Sequence, residues 1–127
     1  MGSSPLQMQK QAPTREAAEK FVDNYLERTM PNTDANNMIF YVNASRNYDP
    51  SPRLDRITAP VLWINSADDY INPPELGIAE KMVKQMPNAQ FILIPISDAT
   101  RGHGTHTVAN VWKGYLAEFM QKTEPRQ

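Results

Sequence analysis

Two short polar stretches hold the residues best able to do acid–base chemistry. Asn65-Ser66-Ala67-Asp68-Asp69 offers two adjacent carboxylates, and the stretch from Ser97 onward offers Asp98, Arg101, His103 and His106. A carboxylate beside an imidazole is the orienting half of a nucleophile–histidine–acid system: it fixes the ring tautomer and stabilises the imidazolium. An acidic residue after a strand also commonly caps the next helix or binds a backbone amide of the turn, so Asp68 and Asp69 carry both readings on residue type alone. His106 stands where the last helix starts and reads as structural. His103 and His106 have the His-x-x-His spacing of a metal pair, with Asp68 or Asp69 as further ligands, but that spacing is too common to carry a zinc assignment. The chain has no cysteine, which excludes disulfides, thiol catalysis and thiolate metal sites.

The elements that must position these loops are legible from periodicity. Val61-Leu62-Trp63-Ile64 and Phe91-Ile92-Leu93-Ile94 are short unbroken apolar runs, suited to strands buried on both faces. Between them Pro73-Pro74-Glu75 opens a helix whose apolar stripe is Leu76, Ala79, Met82, Val83 and Met86, closed by Pro87-Asn88. Val108, Val111, Trp112, Tyr115, Leu116, Phe119 and Met120 mark a last helix. Upstream, Thr14 caps a helix running to about Met30, and Thr33 and Asp34 can cap a shorter one carrying Ala35, Met38, Ile39 and Val42. Met1 to Pro13 reads as irregular, and Ser45 to Pro52 as an extended loop. The expected division is a helical segment over 1–53 and a β-α-β-α part over 54–127.

Two strands joined by a crossover helix run parallel, and ligands in open α/β sheets bind beyond the carboxyl ends of the strands. Both polar loops lie at that end, side by side. A parallel sheet usually has about four to six strands and helices on both faces. Only two strands stand out here, each apolar on both sides. The chain therefore pairs through open edges, or is part of a larger fold, or hides a strand near Tyr41 or Tyr48.

The totals narrow the classes of function. The 127 residues make one ordinary domain, with 40% hydrophobic and 21% charged residues. A formal net charge of -1, with no basic run, gives no reason to expect nucleic acid or an anionic membrane as partner. No apolar run approaches the roughly 20 residues of a membrane span. Met1 to Lys10 lacks a signal-peptide pattern, and the expected location is the cytoplasm, or the periplasm if a signal peptide lies upstream.

The stretch from Pro60 to Glu75 resembles the last-but-one strand and acid loop of α/β-hydrolases. It is most similar to the homoserine O-acetyltransferase-like group, where an Asp, an aromatic, two residues and Pro-Pro recur in that order, as in Asp69-Tyr70-Ile71-Asn72-Pro73-Pro74. Arg101-Gly102-His103-Gly104-Thr105-His106-Thr107 resembles the Gly-His loop after the last strand of that fold. The resemblance covers roughly Leu54 to Met120, and the helices between Thr14 and Val42 resemble the lid inserted before the acid strand. It implies the C-terminal part of an α/β-hydrolase fold, with Asp69 as triad acid and His103 as catalytic base. Gly104 departs from the family, which has an acidic residue directly after Gly-His.

The larger departure is the nucleophile. Members carry a Gly-x-Ser-x-Gly-type elbow upstream of the acid. The serines here are Ser3, Ser4, Ser45, Ser51, Ser66 and Ser97, and none sits between glycines after a strand. The expected function is thus the C-terminal portion of a serine-dependent acyltransferase or esterase. It supplies acid and histidine but no nucleophile, and is inert by a triad mechanism when alone. Its substrate would be a small acyl compound. No metal or redox cofactor is implied, and acetyl-CoA would serve only as acyl donor of the complete enzyme. The expected partner is a second copy or the missing N-terminal part. The alternative is a non-catalytic binding or assembly module that self-associates through its open sheet edges.

Overall fold

A computed structural model describes residues 4–124. The described residues divide into two compact units, one formed by residues 4–8 and 51–124 and the other by residues 9–50.

The second unit is helical. Helix α2 (Arg15–Thr29) starts where Thr14 Oγ1 accepts the Ala17 amide at 3.2 Å. An exposed Arg15–Glu19 pair at 2.8 Å lies along its first turns. A 3-10 turn at Met30–Asn32 follows, bent by Pro31, and Asp34 then caps α3 (Ala35–Ala44) by accepting the amides of Asn36 and Asn37. Tyr41 therefore lies in a helix and Tyr48 in the turn-rich segment after it. Neither belongs to a hidden strand. α3 carries apolar residues around its whole circumference and buries none, with Phe40 74% and Tyr41 80% exposed. A helix of this composition is normally covered.

The first unit carries the sheet. Strand β1 (Val61–Ser66) and strand β2 (Ala89–Ile94) pair in parallel, in register from Val61 opposite Ala89 to Ser66 opposite Ile94. Register partners Trp63 and Phe91 meet edge to face, with ring centroids 6.0 Å apart. Among the described residues these two strands make one sheet, so the fold is mixed α/β with a partial parallel sheet. The connection is less regular than its apolar stripe suggests. It runs through a 3-10 turn at Pro74–Leu76, the short helix α4 (Ile78–Met82) and a second 3-10 turn at Val83–Gln85. Gly77, at φ 62°, interrupts what periodicity reads as one helix. Helix α5 (Ala109–Thr123) follows the second loop and lies against β1.

Two further expectations change. Residues 5–11, expected to be irregular, form helix α1 (Pro5–Gln11). Ser4 starts it, its carbonyl accepting the Met8 amide at 3.0 Å and its hydroxyl the Gln7 amide at 3.4 Å, with Pro5 at the position where a missing N–H costs nothing. Met1 to Ser3, part of the same expectation, lie outside the described residues. The strands are also less covered than their composition suggests. Val61 to Asn65 are only half-buried, Leu93 is exposed, and among the described residues Leu54, Met86 and Ile94 are the buried apolar ones. The cause is geometric: in a two-stranded sheet each strand has one open edge and no flanking strand to shield its side chains.

Candidate functional site

The site lies at the carboxyl ends of β1 and β2. The Ala67 amide donates to the Ile94 carbonyl at 2.9 Å, continuing the ladder one residue past the strands. The Asp69 amide then donates to the Ser66 carbonyl at 3.0 Å, closing a tight turn that points both aspartates inward. Asp68 is 2% exposed and Asp69 3% exposed.

The two oxygens of Asp69 have separate duties. Oδ1 accepts the amides of Ile71 at 2.8 Å and Asn72 at 3.1 Å, which shapes the loop up to Pro73. Oδ2 lies 3.1 Å from Nδ1 of His103, 34 residues further along the chain. The capping and histidine-orienting readings of Asp69 thus coexist in one side chain. Burial, the largest single influence, pushes the Asp69 carboxyl up. The Asn72 amide, the His103 side chain, the Ile71 amide and the charge of His103 outweigh it, and the net pKa is lowered. An ionised carboxylate only accepts hydrogen bonds, so Nδ1 of His103 is the donor in this pair, and whenever the ring is neutral its acceptor lone pair is on Nε2. The side-chain amide of Asn72 borders the same Nδ1 at 3.3 Å.

Asp68 turns the other way, and its amide partner lies across the site rather than in its own turn. Oδ1 accepts the Ser66 hydroxyl. Oδ2 accepts the Thr100 hydroxyl at 3.0 Å and the Gly102 amide at 3.1 Å. Burial again pushes this carboxyl up, and hydrogen bonds from Ser4, Ser66, Thr100 and the Gly102 amide more than offset it, so its pKa is lowered too. Gly102 has φ 56°, in the left-handed region, and is followed directly by His103. Gly102→Ala is expected to destabilise the protein by about 1–2 kcal/mol through backbone strain alone, read as a lower urea midpoint.

His106 and Arg101 serve the loop. Nδ1 of His106 lies 2.5 Å from the His103 carbonyl, and the His106 carbonyl accepts the Trp112 indole at 3.1 Å. Arg101 donates to the carbonyls of Asp98 and Thr100, both at 2.8 Å. Thr100 and Ser66 carry no motif in the sequence. A small hydroxyl residue reveals its importance only once two loops are known to touch.

Asp69 and His103 open onto a cavity of about 730 Å³. Its apolar wall includes Trp63, Ile71, Leu76, Ile78 and Trp112, and its polar rim includes Asn65, Asn72 and His106. An apolar concavity with a few convergent polar groups suits a small organic substrate. Ser66 also borders it, but its hydroxyl donates to Asp68 and accepts from Thr105 at 3.2 Å. Compared with family models, curated proteins and solved structures, the chain matches none of them.

Proposed function

We propose that this chain supplies the acid and the base of a serine-dependent acyltransferase or carboxylic-ester hydrolase of α/β-hydrolase type, similar to homoserine O-acetyltransferases. The nucleophilic serine would come from polypeptide outside these 127 residues. One observation carries the reading: Asp69 Oδ2 and His103 Nδ1 lie 3.1 Å apart, on the loops after two adjacent parallel strands, at the rim of a cavity.

In this mechanism Nε2 of His103 removes the serine proton as the serine oxygen attacks the acyl carbonyl, while Asp69 holds the ring and stabilises the imidazolium. The proton passes to the departing alkoxide or thiolate, leaving an acyl-serine. The second half reverses the roles. His103 deprotonates water or an acceptor alcohol, which attacks the acyl-serine, and the proton returns to the serine oxygen. Acetyl-CoA is the donor for an acetyltransferase, and an ester for a hydrolase.

Ser66 supports an external nucleophile, because its one proton is already donated to Asp68. The half-covered strands and the bare apolar surface of α3 fit a fold with further elements to add. The test supplies those elements: the chain is co-expressed with an upstream polypeptide carrying a strand, a Gly-x-Ser-x-Gly turn and a helix. A burst of acyl-enzyme from an activated ester is expected from the pair and from neither half alone. A stable closed oligomer of this chain that takes up no such partner would favour the assembly-module reading instead.

A further inference from the structure

We infer that Asp68 is the positioning residue of this site: through the Gly102 amide and the Thr100 hydroxyl, its carboxylate fixes the turn that delivers His103 to Asp69. The inference rests on the reading of Asp69 and His103 as an acid–base pair.

The direct link between those two is a single hydrogen bond, and the His103 side chain is 40% exposed. The Asp69 bond, made to the tip of a half-exposed ring, does not by itself define where a loop runs. Asp68 is better placed to do so. Its Oδ2 takes the amide of the residue immediately before His103 and the hydroxyl of the residue three before it. A chain of hydrogen bonds reaches its other oxygen from beyond His103. The Arg101 amide donates to the Thr105 hydroxyl at 2.8 Å, Thr105 to the Ser66 hydroxyl at 3.2 Å, and Ser66 to Asp68 Oδ1. Backbone or side chain on both sides of His103 thus terminates on one buried carboxylate.

The same carboxylate is the direct neighbour of Asp69, so the acid and the turn presenting the base share one anchor. Charge suits this task. A carboxylate only accepts, so every polar group arriving there must donate, which excludes the alternative orientations that a neutral amide would allow. Burying a carboxylate is unfavourable unless such donors surround it, and here they do.

The test reads the His103 ring itself. In ¹⁵N-labelled full-length chain, long-range proton–nitrogen correlation is expected to show His103 as a single tautomer protonated at Nδ1. Asp68→Asn keeps the shape of the side chain but lets only one of its two arms accept. It is expected to leave the ring averaging between tautomers with the Nδ1 proton lost to exchange, while the Trp63 and Trp112 indole signals persist. A merely structural role would lower the melting temperature without changing the tautomer. Asp69→Asn serves as the control that alters the direct partner. If Asp69→Asn disturbs the ring and Asp68→Asn leaves it as in the wild type, the positioning role is overturned and the acid–base pair stands. If neither substitution changes it, the pair itself falls, and the positioning role with it. Should Asp68→Asn not fold, Thr100→Val removes one of the donors to Asp68, together with the hydroxyl's bonds to Ser97, and is read the same way. Partial tautomer averaging supports the role, and an unchanged ring overturns it.

Discussion

Asp69→Asn, made in the proposed enzyme with a serine-bearing polypeptide added, is expected to lower kcat by about four orders of magnitude, the loss typical of replacing a triad carboxylate by its amide. The structure gives the reason in atoms. The Ile71 and Asn72 amides converge on one oxygen of Asp69, and the substituted amide must turn its carbonyl oxygen toward those two donors. Its NH2 group then faces Nδ1 of His103. Two donors cannot share a hydrogen bond, so the ring is driven to carry its proton on Nε2. In that tautomer it cannot accept the serine proton. Substrate binding depends on the cavity walls and should change little, so the loss falls on kcat rather than KM. Single-turnover acylation rates for the wild type and the variant measure it. A loss of less than tenfold would mean that Asp69 only shapes its own loop.

Asp68→Ala is expected to destabilise the chain by about 3 kcal/mol at neutral pH, because buried donors left without an acceptor each cost about 1–3 kcal/mol. The Gly102 amide and the Ser66 hydroxyl lose their acceptor at once, and the Thr100 hydroxyl is left with the Ser97 carbonyl at 2.9 Å. The hydroxyls can turn to other acceptors, but the amide cannot. The same site makes stability depend on acid. Asp68 and Asp69 both have lowered pKa values in the native state, whereas in the unfolded chain such carboxyls take up protons at about pH 3.9. Below that pH the unfolded state binds more protons than the native one. The stabilisation is therefore complete above about pH 4 and is lost as pH falls through the native values. Urea midpoints measured between pH 7 and pH 2.5 should drop steeply in the wild type and less steeply in Asp68→Ala, which has one such carboxyl fewer.

The parts of the molecule visible in the sequence are those set by short-range rules. The apolar runs at Val61 and Phe91 became β1 and β2, because an unbroken β-branched and aromatic run between polar loops has few other uses. Thr14 and Asp34 became helix caps by the local chemistry expected of them. Parallel pairing then made the meeting of Asp69 and His103 a topological consequence, since a crossover places both loops at the same end of the sheet.

What stayed hidden depends on long-range contact or on a single backbone angle. Periodicity carries the apolar stripe from Leu76 to Met86 straight through Gly77, and only its φ of 62° shows the break. Ser4 looked like part of a polar tail until its hydrogen bonds started α1. Asp68 looked like a rival to Asp69 for the same role. Its partners Thr100 and Gly102 are 32 and 34 residues away, and nothing in its neighbours in the chain indicates that it faces the other loop.

Labelling with a fluorophosphonate reads the central claim most directly, because the probe reacts only with a serine activated by a neighbouring base. The chain alone should take up no label on any of its own serines. Paired with the proposed serine-bearing polypeptide, the complex should be labelled on a serine of that polypeptide, and His103→Ala should abolish that labelling. Covalent modification of Ser66, or of any other serine in these 127 residues, would contradict the division of a triad between this chain and another.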